Sequence, residues 1–420
     1  MMIWLGRLIY RIATLSYFWG IRLVAPFHSK AALWTKGRRD IQQHLRQLPE
    51  RRSLTIWMHC ASLGEFEQGR PLLEAIRNRY PAATILLTFF SPSGYEVRKQ
   101  FQGADAVTYL PLDTPSGAAR FLDTARPDIA IFIKYEFWYF CLRELHNRKI
   151  PVFLFAGIFR PQQIFFRWYG AFHRSMLQLY AAILVQNISS QHLLESVGIK
   201  STVAPDLRFD RVLDIARQPV HIEVMQRMRE QGPVLICGST WPEDDAVILK
   251  AYKSTLRSQG FRLILAPHLV DAVHIQKVMQ LYGSTAVRFS EQYSGTQVPE
   301  MLILDSIGVL ASAYRYAHFA FIGGAWGAGL HNTLEAAVYG IPVVFGKNYS
   351  KFNEAVELIT AGAGFSVADA TELEAVLLKL HGDEVQYLQS SSAAAAYVQE
   401  RSGGTLKALA ALAPYLSVKS

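Results

Sequence analysis

Cysteine is scarce. Cys60, Cys141 and Cys237 are the three in 420 residues, and none sits in a Cys-x-x-Cys pair or at Cys/His ligand spacing. A disulfide framework and a structural zinc site are therefore not expected, and the chain reads as a reduced, cytosol-facing protein. Charge is low as well, at 18% of residues against 50% hydrophobic, with a mean hydropathy of +0.12. That balance excludes a disordered chain. H-E-x-x-H, D-x-D and clustered His/Cys are missing, so no ligands for a metal-dependent mechanism are visible. Neither a G-x-S-x-G nucleophile elbow nor a P-loop Gly-Lys-Ser/Thr is present. There is no repeat of fixed period and no low-complexity linker.

The net charge of +9 is unevenly placed. Ten basic residues (Arg7, Arg11, Arg22, Lys30, Lys36, Arg38, Arg39, Arg46, Arg51 and Arg52) face only Asp40 and Glu50 in the first 52 positions. Eight of the nine net charges thus lie at one end, and the remainder is close to neutral. A nucleic-acid-binding body, which would spread its basic groove across the fold, is not supported.

Residues 1–27 are almost all apolar or aromatic, broken by three arginines. The longest uncharged run there, residues 12–21, has ten residues, whereas a spanning helix needs about 20. A cleaved signal peptide fits poorly, because Arg22 interrupts the apolar stretch and no small-residue cleavage site follows. At 100° per residue Arg7, Arg11 and Arg22 fall within about 60° of one another. Such a helix could lie in a membrane interface, or insert and snorkel its arginines towards the cytoplasm. It could also pack on its own domain. Membrane association through residues 1–39 is the favoured expectation.

From residue 53 onward short apolar runs alternate with helical spacing. Strands are expected at 53–58, 83–89, 106–110, 128–133, 151–156, 181–186 and 201–204. After a polar, charged stretch at 207–232, they resume at 233–238, 261–266, 301–304, 318–322 and 342–345. Helices are expected between them, including 66–79, 136–148, 242–258, 307–315 and 332–339, and the last ~35 residues read as helical. Uniformly apolar strands separated by helices predict parallel sheets covered on both faces. The expected class is α/β with two facing Rossmann-like domains, 31–215 and 216–420, the second including the terminal helices, preceded by a helix within 1–30.

Three strand ends run into an S/T/N-x-x-E box: Ser62-Leu-Gly64-Glu65, Thr240-Trp-Pro-Glu243 and Asn332-Thr-Leu-Glu335. Each fits a capping box, and each equally fits a helix N-terminus offered to an anion at the strands' carboxyl ends. Gly323, Gly324, Gly327 and Gly329 lead into His331 and Asn332, four glycines in seven residues. This fits a phosphate or nucleotide loop, or a glycine-rich packing turn. His268 closes another strand and could donate to a phosphate. Lys134 and Glu136 follow the run 128–133, as a ligand-binding pair or a helix-entry charge pair. Phe165, Phe166, Trp168 and Tyr169 could cover a lipid or lie in the core.

In this order the motifs resemble the 3-deoxy-D-manno-octulosonic acid (Kdo) transferases. They are 59–65 with Ser62, Gly64 and Glu65, 87–95, Leu207-Arg-Phe-Asp210, Gly238-Ser239-Thr240, Pro267-His268, and Gly323-Gly324 through His331-Asn332-x-x-Glu335. The resemblance implies a GT-B enzyme with an N-terminal membrane-anchoring segment. It implies transfer of Kdo from CMP-Kdo to a lipid A precursor in lipopolysaccharide synthesis, at the cytoplasmic face of the bacterial inner membrane. Glu65 matches the family's general base. Asn332, Glu335 and the Gly323-Gly324 loop match the CMP-Kdo pocket, with Ser239, Thr240 and His268 around the nucleotide phosphate or the sugar. Ser62, Gly64, Lys134 and Glu136 are expected acceptor or sugar contacts, and no cofactor or metal is implied. Many members read Met-Glu-Thr-Glu-x-Trp-Pro-Asn where this chain has 133–140, so only the second glutamate, Glu136, is kept. Their Pro-Arg-His is here Pro267-His268 without arginine. Two alternatives stay open: a UDP-sugar enzyme of the same architecture, and a non-catalytic two-domain binding protein.

Overall fold

A computed structural model describes residues 2–49, 54–283, 285–291 and 298–416. Arg51 and Arg52 of the basic segment, and the first residue of the expected strand 53–58, lie outside the described residues. The chain divides into two compact units: Met1–Asp210 with Ser402–Ser420, and Arg211–Arg401.

The first unit is a seven-stranded parallel sheet in the order β3-β2-β1-β4-β5-β6-β7. The strands are β1 (Thr55–Cys60), β2 (Thr84–Phe89), β3 (Ala106–Tyr109), β4 (Ile129–Ile133), β5 (Val152–Gly157), β6 (Ala182–Val185) and β7 (Thr202–Val203). Each central strand is buried along its whole length, as expected for a parallel sheet covered on both faces. Alternate residues feed two cores. Trp57, Leu86 and Phe132 pack with the helix Pro115–Ala125 on one face, and Ile56, Met58 and Ile131 with the helix Leu63–Arg79 on the other.

The second unit repeats the plan with β8 (Val234–Thr240), β9 (Arg262–Pro267), β10 (Ala286–Arg288), β11 (Met301–Ile303), β12 (Phe319–Ile322), β13 (Val343–Gly346) and β14 (Gly364–Val367). They are all parallel, in the order β10-β11-β9-β8-β12-β13-β14. The chain crosses from one half of each sheet to the other between β1 and β4 and between β8 and β12. Parallel sheets open their binding crevices at the carboxyl ends of such strands. Both switch points carry a non-glycine residue in the left-handed region, Lys134 after β4 (φ 75°) and Ser239 in β8 (φ 54°). Backbone of this kind persists where its surroundings hold it, and it gathers at functional sites.

The twelve expected strands form, shifted by a residue or two at their ends. β10 and β14 were not anticipated, being three and four residues long without a strong apolar pattern. The stretch 207–232 holds two helices, Leu207–Arg217 and Glu223–Glu230, rather than a polar connection. Helix 332–339 shrinks to Leu334–Ala337.

The terminal helices divide differently from the expected boundary. Glu384–Glu400 lies in the second unit, but Gly404–Leu416 belongs to the first. Asp210 receives that helix: its carboxylate accepts the backbone N–H of Gly403 and of Thr405, both at 2.6 Å. Ala408, Leu412 and Leu416 then enter the core beneath β1 and β4. The domain division 216–420 therefore runs too far, because Asp210 and an apolar face recapture the last helix.

At the other end, the helix Met2–Val24 docks through Tyr10 and Phe18, which meet Phe172 and Trp34. The Tyr10 hydroxyl donates to Asp113 Oδ2 at 2.6 Å. Asp113 also accepts the N–H groups of Phe140 and Cys141, and burial pushes its carboxyl up to about 6. The opposite side leaves Leu5, Leu8, Ile9, Ile12, Trp19 and Leu23 exposed. Among the described residues no helix is long and apolar enough to cross a membrane.

Candidate functional site

At the β1/β4 switch point, Ser62 starts the helix Leu63–Arg79 with extended backbone, and Glu65 falls in its first turn. The Ser62 hydroxyl donates to the Glu65 carboxylate. It does not accept a helix N–H, so the reciprocal capping box read from the sequence is not formed. Glu65 is half-buried and Gly64 exposed. The serine thus serves the glutamate rather than the helix end. Burial raises the Cys60 thiol, with the carboxylates of Glu136 and Glu65 adding to it. Both acids therefore stand near the end of β1.

Glu136 faces a different environment. It is 2% exposed. Its Oε2 lies 2.8 Å from Nε2 of the fully buried His59, without the alignment of a hydrogen bond. The same oxygen accepts the Trp138 indole N–H at 2.5 Å. His59 Nδ1 meets Thr88 Oγ1 at 2.8 Å, and that oxygen also accepts the Trp57 indole at 2.8 Å. The Tyr180 hydroxyl donates to the Glu136 backbone carbonyl. Lys134 is half-buried, with its ammonium 5.6 Å from the Tyr135 ring centroid, and no ion pair joins it to Glu136 among the described residues. The sequence motif thus splits: Glu136 is turned into a dry network beneath the strand ends, and Lys134 stays apart from it. In the aromatic run, Phe165 is core and Trp168 is 84% exposed.

The β8/β12 switch point is built from backbone and neutral rings. Gly323 follows β12 where β8 passes closest: a Cβ there would sit 2.5 Å from the Ser239 carbonyl oxygen and 2.8 Å from Asp244 Oδ2. Gly324 has φ +92°, a conformation open to glycine. Asp244 fastens this loop to the next helix, its Oδ2 accepting the N–H of Trp241 and of Gly324 at 2.8 Å each. The expected box Thr240–Glu243 is therefore displaced by one residue, to Trp241 and Asp244. Thr240 is buried beside Asp245, whose carboxyl burial pushes up to about 6 while the Thr240 hydroxyl opposes the shift.

His268, Trp241 and His331 form a stack. The His268 ring stacks on both of the others, 4.6 Å from each centroid and within 26° of parallel, with Trp241 and His331 edge to edge beside it. The Trp241 indole donates to His331 Nε2 at 3.0 Å. An indole N–H only donates, so Nε2 must be the bare nitrogen. Burial, with His268 adding to it, lowers the His331 pKa to about 4, and burial lowers that of His268. Asn332 bridges the short following helix, its Oδ1 accepting the Leu334 N–H at 3.1 Å and its Nδ2 donating to Glu335 Oε1 at 3.0 Å. Ser239, Thr240, His268, Gly323 and Gly324 are therefore gathered at one switch point, with Asn332 and Glu335 on the same loop. Among the described residues no three His, Cys, Asp or Glu side chains come together as a metal-holding group.

A family model described as 3-deoxy-D-manno-octulosonic-acid transferase (kdotransferase) matches residues 36–211. The 3-deoxy-D-manno-octulosonic acid transferase of Aquifex aeolicus is 27% identical over 330 residues, covering 77% of this chain and 85% of its own. That of Haemophilus influenzae is 27% identical over 384 residues, covering 86% and 87%. These likenesses support the Kdo transferase family and, with it, glycosyltransferase activity. The fold is shared more widely. A putative UDP-N-acetylglucosamine 2-epimerase from Listeria monocytogenes matches with a TM-score of 0.58 at 13% identity, covering 87% of this chain and 97% of its own. The UDP-GlcNAc 2-epimerase from Neisseria meningitidis matches at 0.59 and 13%, covering 86% and 100%. At such identity the likeness is one of architecture.

Within this Kdo transferase frame, sequence reading gave no individual role to His59, Trp241, Asp244 or His331. His59 and His331 stood inside quoted motifs, and only their contacts distinguish them. Asp244 could have been found, since it follows Pro242 at the third position of a helix, where a carboxylate reaches back to the cap.

Proposed function

We propose that this chain transfers Kdo from CMP-Kdo to a hydroxyl of a lipid A precursor, with inversion at the anomeric carbon, at the cytoplasmic face of the bacterial inner membrane. The acceptor oxygen attacks the anomeric carbon as the bond from that carbon to the CMP phosphate oxygen breaks. The acceptor proton passes to the Glu65 carboxylate, and CMP departs as a phosphate monoester anion. A base positioned at the reacting hydroxyl contributes about 10²–10⁴-fold. Charge developing on the phosphate suits a ring N–H donor already fixed in place, which His268 offers, and the Gly323 loop lets a ligand come close to the backbone. Ser239, Thr240, Asn332 and Glu335 complete the donor side. Ser62 orients the base, and Gly64 and Lys134 border the acceptor side.

The observation that carries this reading is Glu65 itself: a half-buried carboxylate in the first turn after β1, held by a serine hydroxyl, inside the segment that matches the family model. The exposed apolar side of Met2–Val24, flanked by Arg11 and Arg22, supports a membrane contact through residues 1–39.

The test is purified protein with CMP-Kdo generated in situ and a tetra-acylated disaccharide acceptor, followed by weighing the product. A mass gain of one or more Kdo units is expected, with CMP bound in preference to UDP. No gain, together with UDP preferred over CMP, would overturn the proposal.

A further inference from the structure

Between the N-terminal helix and the helix Tyr139–Asn147 lies a cavity of about 490 Å³, remote in sequence from Glu65 and from the glycine loop. Its polar wall is cationic: Arg7 and Arg11 reach it from one helix and Arg143 from the other. Trp4, Leu8 and Phe140 supply its apolar wall. The carboxylate at its edge, Glu144, already accepts from Arg148 Nε at 2.8 Å. Arg143 spends one N–H on the Tyr139 hydroxyl at 3.0 Å and retains others, since a guanidinium has five. Arg7 Nε is buried with no partner, a state that normally calls for an acceptor. Arg7 and Arg11 are one turn apart, and like charges at that spacing repel unless an anion lies between them.

We propose that this cavity binds the phosphomonoester headgroup of an acylated amphiphile. Guanidinium groups match phosphate oxygens in paired hydrogen bonds, so three of them around one cavity select a doubly charged head over a zwitterion. The apolar wall opens at Trp4 and Leu8, both exposed, onto the side of the helix that carries Leu5, Ile12 and Trp19. An acyl chain leaving the headgroup would lie along that side. The site deepens the membrane contact of the proposed function, and rests on that reading for the ligand's being a lipid.

The probe is monomeric dihexanoyl phosphatidate, titrated calorimetrically into the full chain below its micelle concentration, so that no membrane is needed. Saturable 1:1 binding is expected. Arg11→Gln with Arg143→Gln should weaken it roughly tenfold or more. Lys250→Gln with Lys253→Gln, both exposed and in the other unit, removes the same charge outside the cavity and should leave it within about twofold. Dihexanoyl phosphatidylcholine and inorganic phosphate should each bind at least about tenfold more weakly. Absence of saturable phosphatidate binding, equal losses in the two double variants, or inorganic phosphate binding as tightly would each overturn the site. Vesicle association, measured in parallel, reads the membrane contact separately: vesicle binding lost with phosphatidate binding kept would sink that contact and spare the cavity.

Discussion

The two Rossmann-like units share a seven-stranded parallel frame but finish their switch points with opposite materials. In the first, β1 and β4 end in ionisable side chains, one half-buried (Glu65) and one dry (Glu136 against His59). In the second, β8 and β12 end in close-packed backbone, two neutral imidazoles and an indole. A carboxylate kept partly wet can accept a proton. Neutral ring N–H groups beside a backbone loop that admits close approach can help hold an anion. The same scaffold thus carries two chemically different strand ends, set by a few residues after each switch strand.

The contrast can be broken most forcefully at Glu136. If it is part of a dry network, Glu136→Ala deprives Trp138 of its acceptor and takes the acid away from His59 Nε2, and stability should fall by about 3–5 kcal/mol, read as a drop in Tm. A fall under about 1 kcal/mol would mean the pair is incidental, and the distinction between Glu65 and Glu136 would collapse. Next in size is Gly323→Ala. The added Cβ meets the Ser239 carbonyl and Asp244 Oδ2, so a cost of about 1–3 kcal/mol is expected, with CMP affinity reduced about tenfold or more by calorimetry. Unchanged CMP binding would remove the glycine loop from the donor site.

The smallest effect concerns His331. Its folded pKa, about 4, lies below the ordinary 6.5. On acidification the unfolded chain takes up the proton first, so the contribution of this ring to stability is whole above pH 6.5 and declines as pH falls through about 4. Protonation also removes the acceptor for the Trp241 indole. A fluorescence change with a midpoint near 4 is expected, absent in both His331→Gln and Trp241→Phe. The same titration persisting in either variant would contradict the stack.

Much of this frame is legible from residue pattern alone, because a strand buried on both faces writes itself as an apolar run: Thr55–Cys60 and Phe319–Ile322 could hardly be anything else. Partnership over distance is not legible. Asp210 looked like a motif residue, yet it receives a helix that begins nearly two hundred positions later. Glu136 looked like a ligand contact, yet the depth of His59 and the reach of Trp138 draw it inward. The glycines at 323 and 324 pointed to a backbone that must come close to something. At Gly323 what comes closest is the β8 strand end, and at Gly324 it is the loop's own Gly329 carbonyl.

The account stands or falls on Glu65→Gln, assayed for Kdo transfer, CMP affinity and thermal midpoint in one preparation. Turnover should drop by about 10²–10⁴-fold, while the Kd for CMP stays within about twofold and the midpoint within about 2 °C. Near-normal turnover, or residual turnover in a protein several degrees less stable, would show that this carboxylate holds the helix rather than the proton.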